Sequence, residues 1–244
     1  MKILSQFKKA QKITHFVGQT NNSLPPLFVN SMPKAGTNMV EKLFIHMGYL
    51  RSFNRCYTEH NIINTKMNAR SGRMHIGHLF NDDPIHKKNL KTVFVYRDLW
   101  KCLKSYINYM AIDASHDASA FIKEGIVLGQ TENYVEKLLL TSDNPLGRSL
   151  IFEYERFYAI DRDRYDIAIC YDDFLKTSPS ITRPLANIFN LDEAQIRHLM
   201  KLTLESETWT KNTGSIDLFQ GLDQGFLENL KTQIQLKDKF FCNV

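Results

Sequence analysis

The sequence predicts an α/β fold in which helices flank a central, mostly parallel sheet. Two segments, residues 27–48 and 91–110, each begin with an apolar run typical of a buried strand, pass through a polar turn and end in a helical pattern. A third apolar run, at 167–170, is also followed by a polar turn. Such alternation is typical of a parallel sheet. The 244 residues are enough for a substantial core, and we expect one domain over 1–244.

The composition narrows the class of protein. With 43% hydrophobic and 23% charged residues, the chain resembles soluble globular proteins. Its net charge of +5 suits an anionic ligand but is too small to indicate a nucleic-acid partner. The four cysteines are too scattered to suggest a zinc site or a disulfide framework. Reduced thiols in a cytoplasmic protein are therefore expected. No apolar run approaches the ~20 residues that span a bilayer, so no membrane span is expected.

The first strand–turn–helix unit contains a candidate anion site. The Pro25-Pro26 pair favours extended chain, so we expect a strand over 27–30, and the apolar spacing that follows predicts a helix ending near Gly48. Lys34 and Gly36 lie between them, in the loop that opens this helix. Because a helix N-terminus presents backbone N–H groups and a positive dipole end, and the lysine adds a full charge, the loop predicts anion binding.

The second unit contains a candidate phosphate site. Residues 92–96 are β-branched or aromatic, as expected of a strand, and Asp98 can cap the helix that follows. Arg97 stands at the end of the strand, and Ser105 lies eight residues later, two turns into the helix. Because the arginine fork matches phosphate oxygens, the two side chains can hold one phosphate together.

The remaining elements follow from the pattern of apolar residues. A strand is predicted over 73–79, and residues 49–72 are predicted to form a loop near a substrate. Residues 1–20 predict a surface helix that packs on the domain, with a helix lying on a membrane surface as the alternative. Further helices are predicted in two pieces within 117–141, around Gly125 and Gly129, and at Pro179 to Phe189, Asp192 to Leu204 and roughly Asp223 to Leu236.

The first loop resembles the phosphosulfate loop of sulfotransferases. The family sequence is usually Pro-Lys-Ser-Gly-Thr-Thr, and the loop grips the 5′-phosphosulfate of 3′-phosphoadenosine-5′-phosphosulfate (PAPS), the sulfuryl donor. An NTPase loop would place its lysine directly before the threonine, whereas Lys34 lies two residues earlier. The resemblance implies that the cofactor is bound by Lys34, Ala35, Gly36, Thr37 and Asn38.

The second unit is similar to the 3′-phosphate motif of the same family, Arg-Asp-Pro-x-Asp-x-x-x-Ser. Arg97 and Ser105 keep the spacing of the motif, so the resemblance implies that they bind the 3′-phosphate. Leu99 replaces the usual proline, and Cys102 stands a little after the usual second acid.

Two later segments extend the resemblance over roughly residues 27–214. Residues 170–175 are similar to the family's Arg-Tyr-Glu-Asp-Leu segment, which implies that Tyr171 meets the adenine side of the cofactor. The basic loop that closes over the 3′-phosphate in the family has one candidate here, where Lys211, Thr213 and Gly214 would bind the cofactor, although its arginine and tryptophan are missing.

The resemblance implies a P-loop NTPase-like sulfotransferase architecture and transfer of the sulfuryl group from PAPS to a hydroxyl or amine, without a metal. It implies catalytic roles for Lys34, which would stabilise the leaving oxygen, for Ser105, and for His78, the matching position for the base. Other candidates for the base are His75, His86, Glu41 and Glu59.

Two other functions remain open. Residues 167–172 also look like a strand that ends in a magnesium-binding aspartate, as in a P-loop kinase or NTPase. The departures at Asn38, Leu99 and residues 211–216 allow a catalytically silent nucleotide- or glycan-binding relative. The acceptor is expected to be a carbohydrate or another hydroxylated small molecule.

Overall fold

A computed structural model describes residues 23–52, 70–86, 89–206 and 217–237. Within these ranges, five strands form one parallel sheet in the order β2-β3-β1-β4-β5. The strands are β1 (Leu27–Ser31), β2 (Leu50–Arg51), β3 (Arg73–Gly77), β4 (Lys91–Tyr96) and β5 (Ile167–Cys170). The predicted α/β fold with a mostly parallel sheet is therefore confirmed.

Helices connect the strands and cover the sheet. The helices before β5 are α1 (Thr37–His46), α2 (Asp83–His86), α3 (Leu99–Ile112), α4 (Ala118–Val127), α5 (Thr131–Leu140) and α6 (Leu150–Tyr158). The helices after β5 are α7 (Tyr171–Leu175), α8 (Pro179–Phe189), α9 (Glu193–Glu205) and α10 (Gln224–Lys237). Short 3₁₀ turns lie at Arg162–Arg164 and Leu218–Gly221. No helix among the described residues combines the length and apolarity that crossing a bilayer requires.

Strand β1 is the centre of the sheet and the point where the chain changes direction. After β1 the chain builds β2 and β3 on one side and then β4 and β5 on the other. All five residues of β1 are buried, as expected of a strand covered on both faces. In open α/β sheets, ligands bind beyond the carboxyl ends of the strands at such a switch point. The two candidate loops follow β1 and β4, which are neighbours, so both lie at this edge.

Some local features differ from the sequence-based expectation. Gly125 lies inside α4 rather than dividing it, because its missing side chain makes room for the ring of Tyr134 on α5. The break comes at Gly129, whose φ of 67° favours glycine. Pro184 lies inside α8 without ending it, and α6 was not predicted. The predicted helix over residues 1–20, and the parts of the predicted loops over 53–69 and 207–216, lie outside the described residues.

Candidate functional site

The loop after β1 has a constrained backbone. Lys34 and Gly36 both adopt left-handed conformations, with φ of 60° and 94°, and the Ala35 amide donates to the Met32 carbonyl at 3.2 Å, closing a turn. Helix α1 begins at Thr37, and the amides of Met39 and Val40 both donate to the Gly36 carbonyl, at 2.9 and 3.2 Å. The helix N-terminus therefore faces the loop, which is the arrangement that favours an anion.

Lys34 points toward α3. Its Nζ lies 3.2 Å from the ring centroid of Tyr109, a cation–π contact. The hydroxyl of Tyr109 in turn donates to Asp113 at 2.6 Å. Hydrogen bonds from Ser115 and Tyr109 lower the pKa of Asp113 to about 2, so this carboxylate is ionised at neutral pH. The lysine ammonium thus lies over a ring whose far end meets a negative charge.

Tyr171 joins the two loops. The ring packs on the backbone of Gly36 so closely that a β-carbon at that position would overlap it. The guanidinium of Arg97 lies 5.0 Å above the same ring. Burial raises the pKa of Tyr171, so it is a neutral phenol, although the nearby Arg97 charge opposes this shift. The first residue after β5 therefore brings the residues after β1 and β4 together.

Arg97 carries an unusual polar atom. Its Nε is buried and makes no hydrogen bond within the described part of the chain. The carboxylate that it faces belongs to Asp172, with one oxygen at 3.8 Å, and the second oxygen of Asp172 accepts from Lys101 at 3.0 Å. A buried donor without an acceptor is rare, so this atom marks a position where an external anion fits.

Ser105 lies on the face of α3 that looks toward both loops. Residues four apart are neighbours on a helix surface, so Ser105 lies between Lys101 and Tyr109. Lys101 contacts Asp172 beside the second loop, and Tyr109 contacts Lys34 of the first. Asp98 caps the helix, as predicted, by accepting from the Lys101 amide at 2.9 Å. The sequence-predicted Lys34, Arg97 and Ser105 are thus brought to one site.

Helix α6 holds both loops through two tyrosines that sequence reasoning missed. The hydroxyl of Tyr154 donates to the Pro33 carbonyl at 2.7 Å, and that of Tyr158 donates to the Arg97 carbonyl at 2.8 Å. Burial raises the pKa of Tyr154 well above its ordinary value, so it remains a donor. The four-residue spacing places both hydroxyls on one face of the helix, and this spacing was the available signal.

His78 lies at the end of β3, next to the first loop. Its Nδ1 lies 2.7 Å from the Ser31 carbonyl, which can only accept, so Nδ1 carries the proton and the neutral ring has its lone pair on Nε2. Ser31 Oγ also lies 3.1 Å from Nδ1 and 2.7 Å from the Thr37 hydroxyl. The buried side chain of Asn30 bonds both backbone groups of Leu79, at 2.9 and 3.1 Å, which fixes the chain beside His78.

The other candidate bases lie elsewhere. His75 is buried within β3, on the opposite face from Met74 and Ile76. His86 bonds Asp82 at 3.0 Å, and Glu41 pairs with Arg51 at 2.8 Å. The remaining candidate base, Glu59, lies outside the described residues. The same holds for three cofactor-binding candidates, Lys211, Thr213 and Gly214.

His116 is a further histidine near the site that sequence reasoning missed. Its ring packs edge-on against Tyr106 and Tyr109. However, its Nδ1 accepts from the Ala118 amide at 3.2 Å, so in the neutral ring the proton is on Nε2. His78 therefore has the tautomer that a base acting through Nε2 requires, and His116 does not.

Comparison with known proteins identifies the fold. No protein-family model and no curated protein sequence matches the chain. The crystal structure of mouse sulfotransferase SULT7A1 complexed with PAP is similar, with a TM-score of 0.53, 14% sequence identity, and coverage of 92% of this chain and 89% of that chain. At this identity the likeness establishes the fold, and the predicted sulfotransferase architecture is confirmed.

Proposed function

We propose that this chain is a PAPS-dependent sulfotransferase that transfers a sulfuryl group to a hydroxyl or amine of its acceptor. The observation that carries the proposal is the contact of Tyr171 with both Gly36 and Arg97. Through it, two loops that each carry a cation lie at one edge of the sheet. A nucleotide with a phosphate at each end of its ribose suits such a pair of anion sites.

The residues present fit such a nucleotide. On the 5′ side, the amides of Gly36, Thr37 and Asn38 lie at the start of α1, and Lys34 stands in the loop before it, while Ala35 closes the turn. On the 3′ side, the buried Nε of Arg97 would gain the acceptor that it lacks among the described residues, and Ser105 would add a hydroxyl. The ring of Tyr171 would pack against the adenine side of the nucleotide. In this proposal, Lys211, Thr213 and Gly214 contribute to the 3′ side.

PAPS supplies a sulfuryl group bonded to its 5′-phosphate. His78 accepts the proton of the acceptor hydroxyl at Nε2 while the acceptor oxygen forms its bond to sulfur. Lys34 donates to the bridging oxygen as the bond between that oxygen and sulfur breaks, which stabilises the charge left on the nucleotide. Ser105 holds the nucleotide beside Lys34. No metal takes part in this scheme, and the acceptor is a carbohydrate or another hydroxylated small molecule.

A kinase-like reaction fits the contacts less well. In that reaction Asp172 would be the ligand of a magnesium ion, whereas its two carboxylate oxygens face Lys101 and Arg97. The lysine of the first loop stands two residues earlier than in an NTPase loop, where it directly precedes the threonine. Both features favour a nucleotide bound without a metal.

Two measurements test the proposal. Titration calorimetry in the presence of a chelator should show tight binding of adenosine 3′,5′-bisphosphate (PAP), and incubation with sulfur-labelled PAPS and a panel of sugars, phenols and amines should label an acceptor. Turnover of ATP that requires magnesium would instead establish the kinase or NTPase. Tight binding of PAP with no label transferred to any acceptor would identify a silent relative.

A further inference from the structure

The carboxylate of Asp172 lies between two cations at the candidate nucleotide site. One oxygen is 3.8 Å from Arg97 Nε, and the other is 3.0 Å from Lys101 Nζ. The side chains of Asp172 and Arg97 are about a quarter exposed, and that of Lys101 is 52% exposed. Asp172 follows Tyr171 directly, so this cluster adjoins the ring that joins the two loops.

Lys101 is held by Asp98 through its backbone amide and by Asp172 through its side chain. It lies in the first turn of α3, where its amide donates to the cap residue Asp98, and it precedes Ser105 by four residues, so the two side chains are neighbours on the helix surface. Its ammonium and the Arg97 guanidinium reach opposite oxygens of one carboxylate. Lys101 and Arg97 therefore converge on one anionic group, and Ser105 lies one helical turn from Lys101.

We propose that Lys101 is a third ligand of the ribose 3′-phosphate, and that Asp172 holds Lys101 and Arg97 in place when no nucleotide is bound. This inference rests on the proposed function. In the 3′-phosphate motif that the segment resembles, Arg-Asp-Pro-x-Asp, the second acid falls at position 101, so this chain reverses the charge there. A lysine at that position gives the doubly charged phosphate a second full cation.

The role of Asp172 follows from charge. In the absence of nucleotide, its carboxylate neutralises two cations that would otherwise repel each other. A bound phosphate would compete with Asp172 for the two cations and would also be repelled by its carboxylate. Asp172 therefore opposes binding of the 3′-phosphate while keeping the two cations ordered.

The test compares two nucleotides that differ only in the 3′-phosphate. PAP and adenosine 5′-monophosphate (AMP) are titrated calorimetrically into the wild-type chain, Lys101→Ala and Lys91→Ala. Lys91 is a matched control because it pairs with Asp166 at 2.9 Å at the amino end of β4, with 39% of its side chain exposed. Lys101→Ala should weaken PAP about five- to tenfold and leave AMP unchanged, since a partly exposed charged contact is lost. Lys91→Ala should change neither affinity.

A second variant tests the acidic residue of the same cluster. Asp172→Asn should tighten PAP relative to AMP, because it removes a charge that competes with the phosphate. If Lys101→Ala leaves PAP affinity unchanged, or weakens PAP and AMP equally, the role of Lys101 is wrong. If the wild-type chain binds PAP no more tightly than AMP, the proposed function itself fails.

Discussion

The ring of Tyr171 lies against the backbone of Gly36, where no other residue type leaves room for it. Gly36 ends the loop after β1, and Tyr171 begins the helix after β5, so two strands that are not neighbours in the sheet are linked at their carboxyl ends. The contact requires both the missing β-carbon and the positive φ of 94° at Gly36. The geometry of the candidate site therefore depends on one glycine.

Replacing Gly36 by alanine should displace Tyr171 and the loop together. We expect the free energy of unfolding to fall by roughly 2–5 kcal/mol, from left-handed strain and overpacking combined, and PAP binding to be lost. Gly129→Ala is the matched control, because Gly129 also has a positive φ but a β-carbon added there would meet no atom within 4 Å, so it should cost only roughly 1–2 kcal/mol. Denaturant unfolding measures both; equal losses would mean that the ring contact is unimportant.

The sequence predicts the parts of this site that depend on local patterns. The loop containing Lys34 and the helix start at Asp98 are set by residues within one strand–turn–helix unit, and the structure has them where the spacing predicts. Tyr154 contacts Pro33 across 121 residues of chain, and Tyr109 contacts Lys34 although the two belong to different units. No short pattern specifies such contacts, because they arise only when α3 and α6 pack beside the sheet.

The prediction for Tyr158 follows from its bond to the second loop. Tyr158→Phe removes the donor to the Arg97 carbonyl, so we expect a loss of about 1 kcal/mol in the free energy of unfolding and weaker binding of PAP. Tyr134→Phe is the control, because the Tyr134 ring packs on Phe121 between α4 and α5. Unchanged affinity for PAP in Tyr158→Phe would show that the hydrogen bond from α6 to the second loop does not contribute to nucleotide binding.

The prediction for Lys34 concerns the leaving oxygen. Lys34→Ala should lower kcat by roughly 10²–10³-fold, the loss typical of a donor to developing negative charge, with a smaller loss of affinity for PAP. Steady-state kinetics with labelled PAPS, together with a PAP titration, measures the two effects. A variant that loses affinity as strongly as kcat would show that Lys34 only binds the nucleotide.

The prediction for His78 separates catalysis from binding. His78→Ala should lower kcat by roughly 10²–10⁴-fold while keeping PAP affinity, because the ring lies beside Ser31 and not beside Arg97. His86→Ala is the control, since His86 bonds Asp82 and packs on Tyr165. Full turnover in His78→Ala would assign the base to another residue.

The prediction for Arg97 concerns affinity alone. Its buried Nε lacks a hydrogen bond within the described ranges, so the 3′-phosphate of PAP should supply the acceptor. Arg97→Ala should therefore weaken PAP roughly 10- to 100-fold, the value of a charge-assisted hydrogen bond, and should affect AMP far less. Arg156→Ala removes a guanidinium that lies 4.1 Å from the Phe80 ring and should leave both affinities unchanged. Both variants lose a contact between a guanidinium and an aromatic ring, so only the loss of the 3′-phosphate contact distinguishes them. Calorimetry that finds PAP binding unaltered in Arg97→Ala would place the 3′-phosphate elsewhere.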